Sequence, residues 1–319
     1  MKIVISDNDH VNLRQEEAVF QRAGMEFTLY QCKTEKEVIE QLKGAAIVLN
    51  QYAPFTRDVI RALRPELKQI VRYGVGVDNI DCEAATEFGV QVCNVPDYGM
   101  NEVADHAMAL LLSLVRKTAV MSAYTRDVKW DYGYAVPIHR VPGQTVGIVG
   151  LGRIGKTFAK RMCGFDCRRL AADPRYSVGE QVGGVDIVSM DRLLEESDMV
   201  SIHCPLQNTT RNLFDLAAFQ KMKPTAFLVN TSRGGIVNED DLYLALRDGL
   251  IAGAALDVVA KEPLRSSEQL FRLENFLCTP HIAWYSEEAA QEMKRKVAEE
   301  AVRFALGQQI SYPVNHLLR

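Results

Sequence analysis

What most constrains this chain is an alternation, run through twice, of short apolar stretches with amphipathic ones. In the first hundred residues, 2–5, 25–30, 45–49, 69–71 and 91–94 read as strands, with helix-like stretches such as 13–23 and 35–42 between them. The alternation restarts after Gln144, with strands expected at 145–149, 169–172, 199–203, 226–230, 253–256 and 276–278. Strands separated by single helices and short connections bury both faces of a sheet only when they run parallel with helices on either side. The class is therefore α/β, with two doubly wound parallel sheets, and the six later strands suffice for a dinucleotide-binding sheet.

Between the halves, residues 101–118 read as one long helix, opened by Asn101 as its cap and apolar all round, hence buried. The next stretch, 122–143, holds Trp130, Pro137 and Pro142 and shows no period, so it reads as an excursion over a partner subunit or a long loop. The last 33 residues bring a charged helix, 287–306, directly after the final strand. Crossings near 98–101 and 284–287 then give one domain made of 1–99 and 286–319, with a second, 100–285, inserted into it.

A chain of 319 residues has room for two such cores. Lys and Arg total 37 against 41 Asp and Glu, a formal charge of -4, so no positive field draws it to nucleic acid or anionic lipid. The longest apolar run, 107–115, falls well short of the ~18 residues of a membrane span, and the N-terminus has no secretory core. Seven cysteines, odd in number and without a CxxC pair, read as reduced thiols of a cytoplasmic protein, with no metal site expected.

Gly150-Leu151-Gly152-Arg153-Ile154-Gly155 sits between the strand 145–149 and an expected helix, the context in which G-x-G-x-x-G cradles a pyrophosphate. The first glycine makes the turn, the second lets the anion approach the backbone, and the third lets helix and strand touch. Asp173 ends the next strand, 18 residues beyond Gly155, where a carboxylate accepts from ribose hydroxyls and repels a 2'-phosphate. NAD is thereby favoured over NADP, with Arg175 pulling the other way.

In a doubly wound sheet ligands gather beyond the carboxyl ends of the strands. Residues just past those ends are Asp173, His203, Pro205, Thr231 and its neighbours to Gly235, Asp257, Pro280 and His281. Hydride exchange at an oxygen-bearing carbon needs a carboxylate fork, a proton donor and something to orient that donor. Arg233 offers the planar fork, His281 the proton, and Glu262 the orientation of the imidazole. Gly74-Val75-Gly76 offers backbone amides to a substrate carboxylate. His10, His106, His139 and His316 receive no role, and His203 is expected to lend its backbone only.

Taken in order, GVGVDNID from Gly74, GLGRIG from Gly150, HCPL from His203, FLVNTSRGGIVNEDDL from Phe227, GAALDV from Gly253, KEP from Lys261 and TPHIAW from Thr279 resemble the D-isomer-specific 2-hydroxyacid dehydrogenase family. The resemblance implies a Rossmann NAD-binding domain inserted into a flavodoxin-like substrate domain, and Arg233, Glu262 and His281 as a catalytic triad. It implies cofactor contacts from Val75, Cys204, Thr210, Ser232 and Ala283 besides the residues above, with Asp257 meeting the nicotinamide carboxamide. It also implies homodimerisation through the NAD-binding domain. Residues 278–293 look most like the C-terminal binding protein branch, where a tryptophan similar to Trp284 encloses the substrate side chain, whereas Tyr98 looks more like D-lactate dehydrogenases. The expected activity is NAD-dependent interconversion of a small 2-oxoacid and its D-2-hydroxyacid; the alternative is an NAD(H)-sensing or corepressor-like scaffold with little turnover.

Overall fold

A computed structural model describes residues 1–264 and 269–317. The chain divides into two compact units, Met1–Gly99 with Ser286–Arg319, and Met100–Tyr285.

The first unit is built on five parallel strands, β1 (Ile3–Ile5), β2 (Phe27–Leu29), β3 (Ile47–Asn50), β4 (Gln69–Arg72) and β5 (Gln91–Cys93), in the order β2-β1-β3-β4-β5. Its helices are α1 (Arg14–Arg22), α2 (Glu35–Gln41), α3 (Arg57–Ala62) and α4 (Cys82–Glu87); the last two are short, and no sequence period announced them. The pleat sends Val4, Val48, Ile70 and Val92 into one buried cluster with Val38, Val59 and Ala84 of α2 to α4. Against the opposite face packs the C-terminal helix Glu287–Ala305, capped by Ser286 Oγ, which accepts from the Ala289 amide at 2.9 Å. Beyond that helix, Asn315 Oδ1 accepts from the Val92 amide at 2.7 Å and from Gln91 Nε2 at 2.9 Å, tying the tail to the edge strand β5.

The second unit opens with α5 (Met100–Val115) and α6 (Thr118–Arg126). Several expectations are corrected here. Asn101 is not a cap but the second helical residue, its side chain accepting from Arg161 at 3.2 Å. Nor is α5 apolar all round, because Asn101, Asp105 and Ala109 form an exposed stripe at i, i+4 and i+8. The helix also stops earlier than expected. Lys117 takes a left-handed conformation (φ 55°), and α6 leaves at 62° to α5. The segment 122–143 is accordingly helical as far as Arg126, with a further turn at Tyr132–Ala135. Among the described residues no single helix is long and apolar enough to cross a membrane.

The sheet that follows has eight strands rather than six: β6 (Thr145–Val149), β7 (Arg168–Ala172), β8 (Gln181–Val182), β9 (Val185–Ile187), β10 (Met199–Ile202), β11 (Phe227–Asn230), β12 (Gly253–Leu256) and β13 (Phe276–Cys278). Their order is β13-β12-β11-β10-β6-β7-β9-β8, all parallel except the edge pair β8 and β9. The sequence reading missed that edge because each strand is two or three residues long and Asp186 interrupts the apolar run. The helices α7 (Arg153–Met162), α8 (Met190–Glu196), α9 (Leu216–Lys221) and α10 (Glu239–Arg247) connect the strands, and α11 is the C-terminal helix of the first unit. Val146, Ile148, Ala171 and Val229 pack with α5 and α7, while Val149, Val200, Ile202 and Leu228 pack with α8, α9 and α10. The chain changes direction across the sheet between β6 and β10, and the strand ends on either side of that switch point converge on one crevice.

Candidate active site

The glycine loop after β6 is shaped by contacts that admit no side chain at two of its three positions. Gly150 has φ +93°, and a Cβ there would lie 2.7 Å from the Cys204 amide nitrogen. At Gly155 it would lie 2.1 Å from the Gly150 carbonyl, so α7 rests directly on the turn. Around Gly152 the nearest atom is Arg175 Nη2 at 3.5 Å, and no side chain caps α7. Open backbone at the second glycine and free amides at the start of a helix are what a pyrophosphate requires, so the residues present fit a dinucleotide.

Asp173, just past β7, is 3% exposed at its side chain and accepts from the Leu151 amide at 2.7 Å. Arg175 grips it with two prongs, Nε to Oδ1 at 2.9 Å and Nη2 to Oδ2 at 2.5 Å. That guanidinium, with the Arg175 and Leu151 amides, holds the carboxyl down at about 2 against the opposing effect of burial. His203 packs on Phe158 with ring centroids 5.0 Å apart, and its Nε2 lies 2.9 Å from Ser201 Oγ. Burial pushes this imidazole down to about 3, so it is neutral. Cys204 is half-buried, its thiol pushed up to about 11 by burial, and Pro205 is exposed. The Thr210 hydroxyl donates to the Pro205 carbonyl at 2.7 Å and stitches this loop closed.

After β11, the buried Asn230 folds the next loop. Its Nδ2 donates to the Arg233 carbonyl at 2.8 Å and its Oδ1 accepts from the Ser232 amide at 2.9 Å. Ser232 Oγ donates to the Ile202 carbonyl at 3.0 Å, and Thr231 Oγ1 is buried without a hydrogen-bond partner among the described residues. A Cβ on Gly234 would stand 2.0 Å from the Val259 carbonyl carbon, so only glycine lets this loop lie against the one after β12. The Arg233 charge is felt by the Glu262 carboxyl.

Glu262 Oε1 accepts from the Val259 amide at 3.0 Å, and Oε2 lies 2.6 Å from His281 Nδ1. Burial pushes the Glu262 carboxyl up, but the hydrogen bond and charge of His281, the Val259 amide and Arg233 outweigh it and hold the group below its ordinary value. His281 itself has φ +54°, a conformation an L residue keeps only when its surroundings impose it. Asp257 imposes it. Its carbonyl accepts from the His281 amide at 2.8 Å, Oδ1 from the Ile282 amide at 3.0 Å, and Oδ2 from the Ala283 amide at 2.9 Å. The Asp257 side chain is wholly buried, and these carboxylate bonds go to the loop carrying His281.

Two residues that sequence reasoning passed over complete this clamp. Thr279 Oγ1 donates to Asp257 Oδ1 at 2.5 Å, and His106, on α5, brings Nε2 within 2.9 Å of the same hydroxyl. With the hydroxyl hydrogen on Asp257, His106 is the donor to Thr279. A histidine 173 positions away leaves no trace in local sequence, whereas Thr279 stands inside a motif already noted. Trp284 is half-buried, edge-on to Tyr285 at 5.5 Å.

The remaining expected residues belong to the first unit. Gly74 has φ +120°, and a Cβ there would meet Arg72 Nη1 at 1.9 Å and Tyr98 Oη at 3.3 Å, so Gly74, Arg72 and the buried Tyr98 form one cluster. Arg72 is a member that sequence reading did not pick out. Val75 is exposed, and its carbonyl accepts from Asn94 Nδ2 at 2.6 Å; Gly76 lies beside it in the same loop. Among the described residues no three His, Cys, Asp or Glu side chains stand together as a metal cage.

Residues 108–283 match the family model described as D-isomer specific 2-hydroxyacid dehydrogenase, NAD binding domain. A glyoxylate reductase of Korarchaeum cryptofilum is 40% identical over 280 residues, 86% of this chain and 84% of that protein. A glycerate dehydrogenase of Methylorubrum extorquens is 36% identical over 281 residues, 86% of this chain and 87% of its own length. Among solved structures, the NAD-dependent formate dehydrogenase of Staphylococcus aureus in complex with NAD superposes with a TM-score of 0.89 at 27% identity, covering 100% of both chains. By the family match within the second unit and by relatives that share 36–40% identity over 86% of the chain, it belongs to the D-isomer-specific 2-hydroxyacid dehydrogenases.

Proposed function

We propose that this protein interconverts a small 2-oxoacid and its D-2-hydroxyacid with NAD(H). The observation that carries the reading is the His281–Glu262 hydrogen bond of 2.6 Å, in the same unit as the glycine cradle and as Arg233, whose charge Glu262 feels. When bound, the nicotinamide supplies or accepts the hydride. Arg233 binds the substrate carboxylate with its planar fork and polarises the neighbouring carbonyl. Since Glu262 engages Nδ1, the other ring nitrogen of His281, Nε2, gives a proton to the carbonyl oxygen during reduction and takes it back during oxidation. Glu262 fixes the plane of that ring, and Asp257 fixes its backbone. Gly150, Leu151, Gly152, Arg153, Ile154 and Gly155 are assigned to the pyrophosphate. Asp173, His203, Cys204, Pro205, Thr210, Thr231, Ser232, Asp257 and Ala283 are assigned to the rest of the dinucleotide. Trp284 is assigned to the substrate. The relatives' names are those of reductases and dehydrogenases, which favours turnover over a scaffold role.

Homodimerisation through the second unit has support in the segment after α6, where Val128 and Trp130 are each 90% exposed and Tyr132 is 84% exposed. The seven free cysteines suit a reducing cytoplasm. The decisive experiment is steady-state reduction of glyoxylate, pyruvate and hydroxypyruvate with NADH, followed by chiral analysis of the product. Turnover of at least one to the D isomer is expected; NADH binding without reduction of any 2-oxoacid would return the reading to a sensor.

A further inference from the structure

We infer that Arg175 makes the adenosine end of the cradle tolerant of a 2'-phosphate, so that the protein takes NADP(H) alongside NAD(H). The inference rests on the dinucleotide use proposed above and concerns which dinucleotide is admitted. An acidic residue after the second strand normally selects NAD in two ways: its oxygens accept from the ribose hydroxyls, and its charge repels a 2'-phosphate. Here both are answered from within the chain. Asp173 Oδ1 already accepts from the Arg175 amide at 3.0 Å and from Arg175 Nε at 2.9 Å. Its Oδ2 accepts from the Leu151 amide at 2.7 Å and from Arg175 Nη2 at 2.5 Å. These bonds take up about as many acceptor sites as a carboxylate has, so a ribose hydroxyl meets Asp173 only by displacing a prong of Arg175.

Exposure tells the same story. The Asp173 side chain is 3% exposed and that of Arg175 62%, so the group presented outward is the cation. The guanidinium stands over the open glycine, with Nη2 3.5 Å from where a Gly152 Cβ would be. Lys156 Nζ lies 5.5 Å from the centre of the Tyr176 ring and Arg175 Cζ 5.9 Å from the same centre, so both cations pack on Tyr176. The side-chain bonds to Asp173 use two of the five guanidinium donors of Arg175, which leaves donors for phosphate oxygens.

The test is equilibrium titration of NADH and NADPH by their fluorescence, with the full-length wild type, Arg175→Ala and Lys156→Ala. NADPH is expected to bind the wild type within about tenfold of NADH. Arg175→Ala is expected to weaken NADPH by roughly 10- to 100-fold, the worth of a charge-assisted bidentate contact, and to leave NADH unchanged or tighter. Lys156→Ala, on the exposed side of α7, is expected to act on NADPH in the same direction by about threefold. Wild-type binding of NADH alone, or equal weakening of both dinucleotides by Arg175→Ala, would overturn this inference and leave the dehydrogenase reading standing. Failure of both dinucleotides to bind would overturn both readings.

Discussion

His281 Nδ1 and Glu262 Oε2 lie 2.6 Å apart although they come from separate loops, one after β13 and one after β12. Burial pushes the Glu262 carboxyl up, but His281, the Val259 amide and Arg233 hold it below its ordinary value, so it orients the ring as a carboxylate. Glu262→Gln replaces that anion by a neutral amide of the same shape, and turnover is expected to fall by about tenfold or more while substrate KM changes less. Steady-state kinetics of wild type and variant check this, and unchanged turnover would separate Glu262 from the positioning of His281.

Arg233→Lys keeps the charge but replaces the two-pronged fork by a point donor. A loss in kcat/KM of about 100-fold is expected, read from initial rates at subsaturating 2-oxoacid. Unchanged kinetics would place carboxylate binding elsewhere.

The three glycines of the cradle separate packing from binding. Gly155→Ala forces a Cβ to 2.1 Å from the Gly150 carbonyl and is expected to lower the Tm. Gly152→Ala meets nothing nearer than 3.5 Å, so it is expected to fold with a Tm close to wild type while weakening NADH about tenfold or more. Thermal melts and NADH titrations on both variants give the comparison.

Thr279→Val removes the hydroxyl between His106 and Asp257 at nearly constant volume. The Asp257 carboxylate then loses one donor, and the loop that keeps His281 at φ +54° is held less firmly. A stability loss of about 1–3 kcal/mol is expected, with turnover falling more than substrate KM changes. Denaturant melts and kinetics check this, and wild-type values in both would remove His106 and Thr279 from the clamp.

The Asp173–Arg175 pair carries a sign that acid titration can read. The Asp173 carboxyl sits at about 2 in the fold, below the 3.8 of an unperturbed aspartate, so its stabilising contribution is full above about 3.8 and fades as pH falls toward 2. Arg175→Ala is therefore expected to lower the Tm at pH 5 to 7 and to converge with wild type near pH 2. A Tm difference that grows on acidification would contradict the sign.

Buried parallel strands are continuous apolar runs, which is why Thr145–Val149, Gly253–Leu256 and Phe276–Cys278 were legible to the residue. The pair at Gln181–Val182 and Val185–Ile187 was not, because two or three residues at a sheet edge bury too little to leave a pattern. The helix break at Lys117 also escaped, since a left-handed lysine has no signature in composition.

By itself the sequence determined the alternation of elements, the glycine turn before α7 and the set of polar groups that follow the strand ends, because each depends on neighbours within a few residues. Which donor meets which acceptor was decided only in three dimensions. Arg175 turns back to occupy Asp173, His106 reaches Thr279 across 173 positions, and the Arg233 loop closes on Val259 through Gly234. Hydrogen bonds act over about 3 Å, and sequence distance carries no information about them until the sheet has folded.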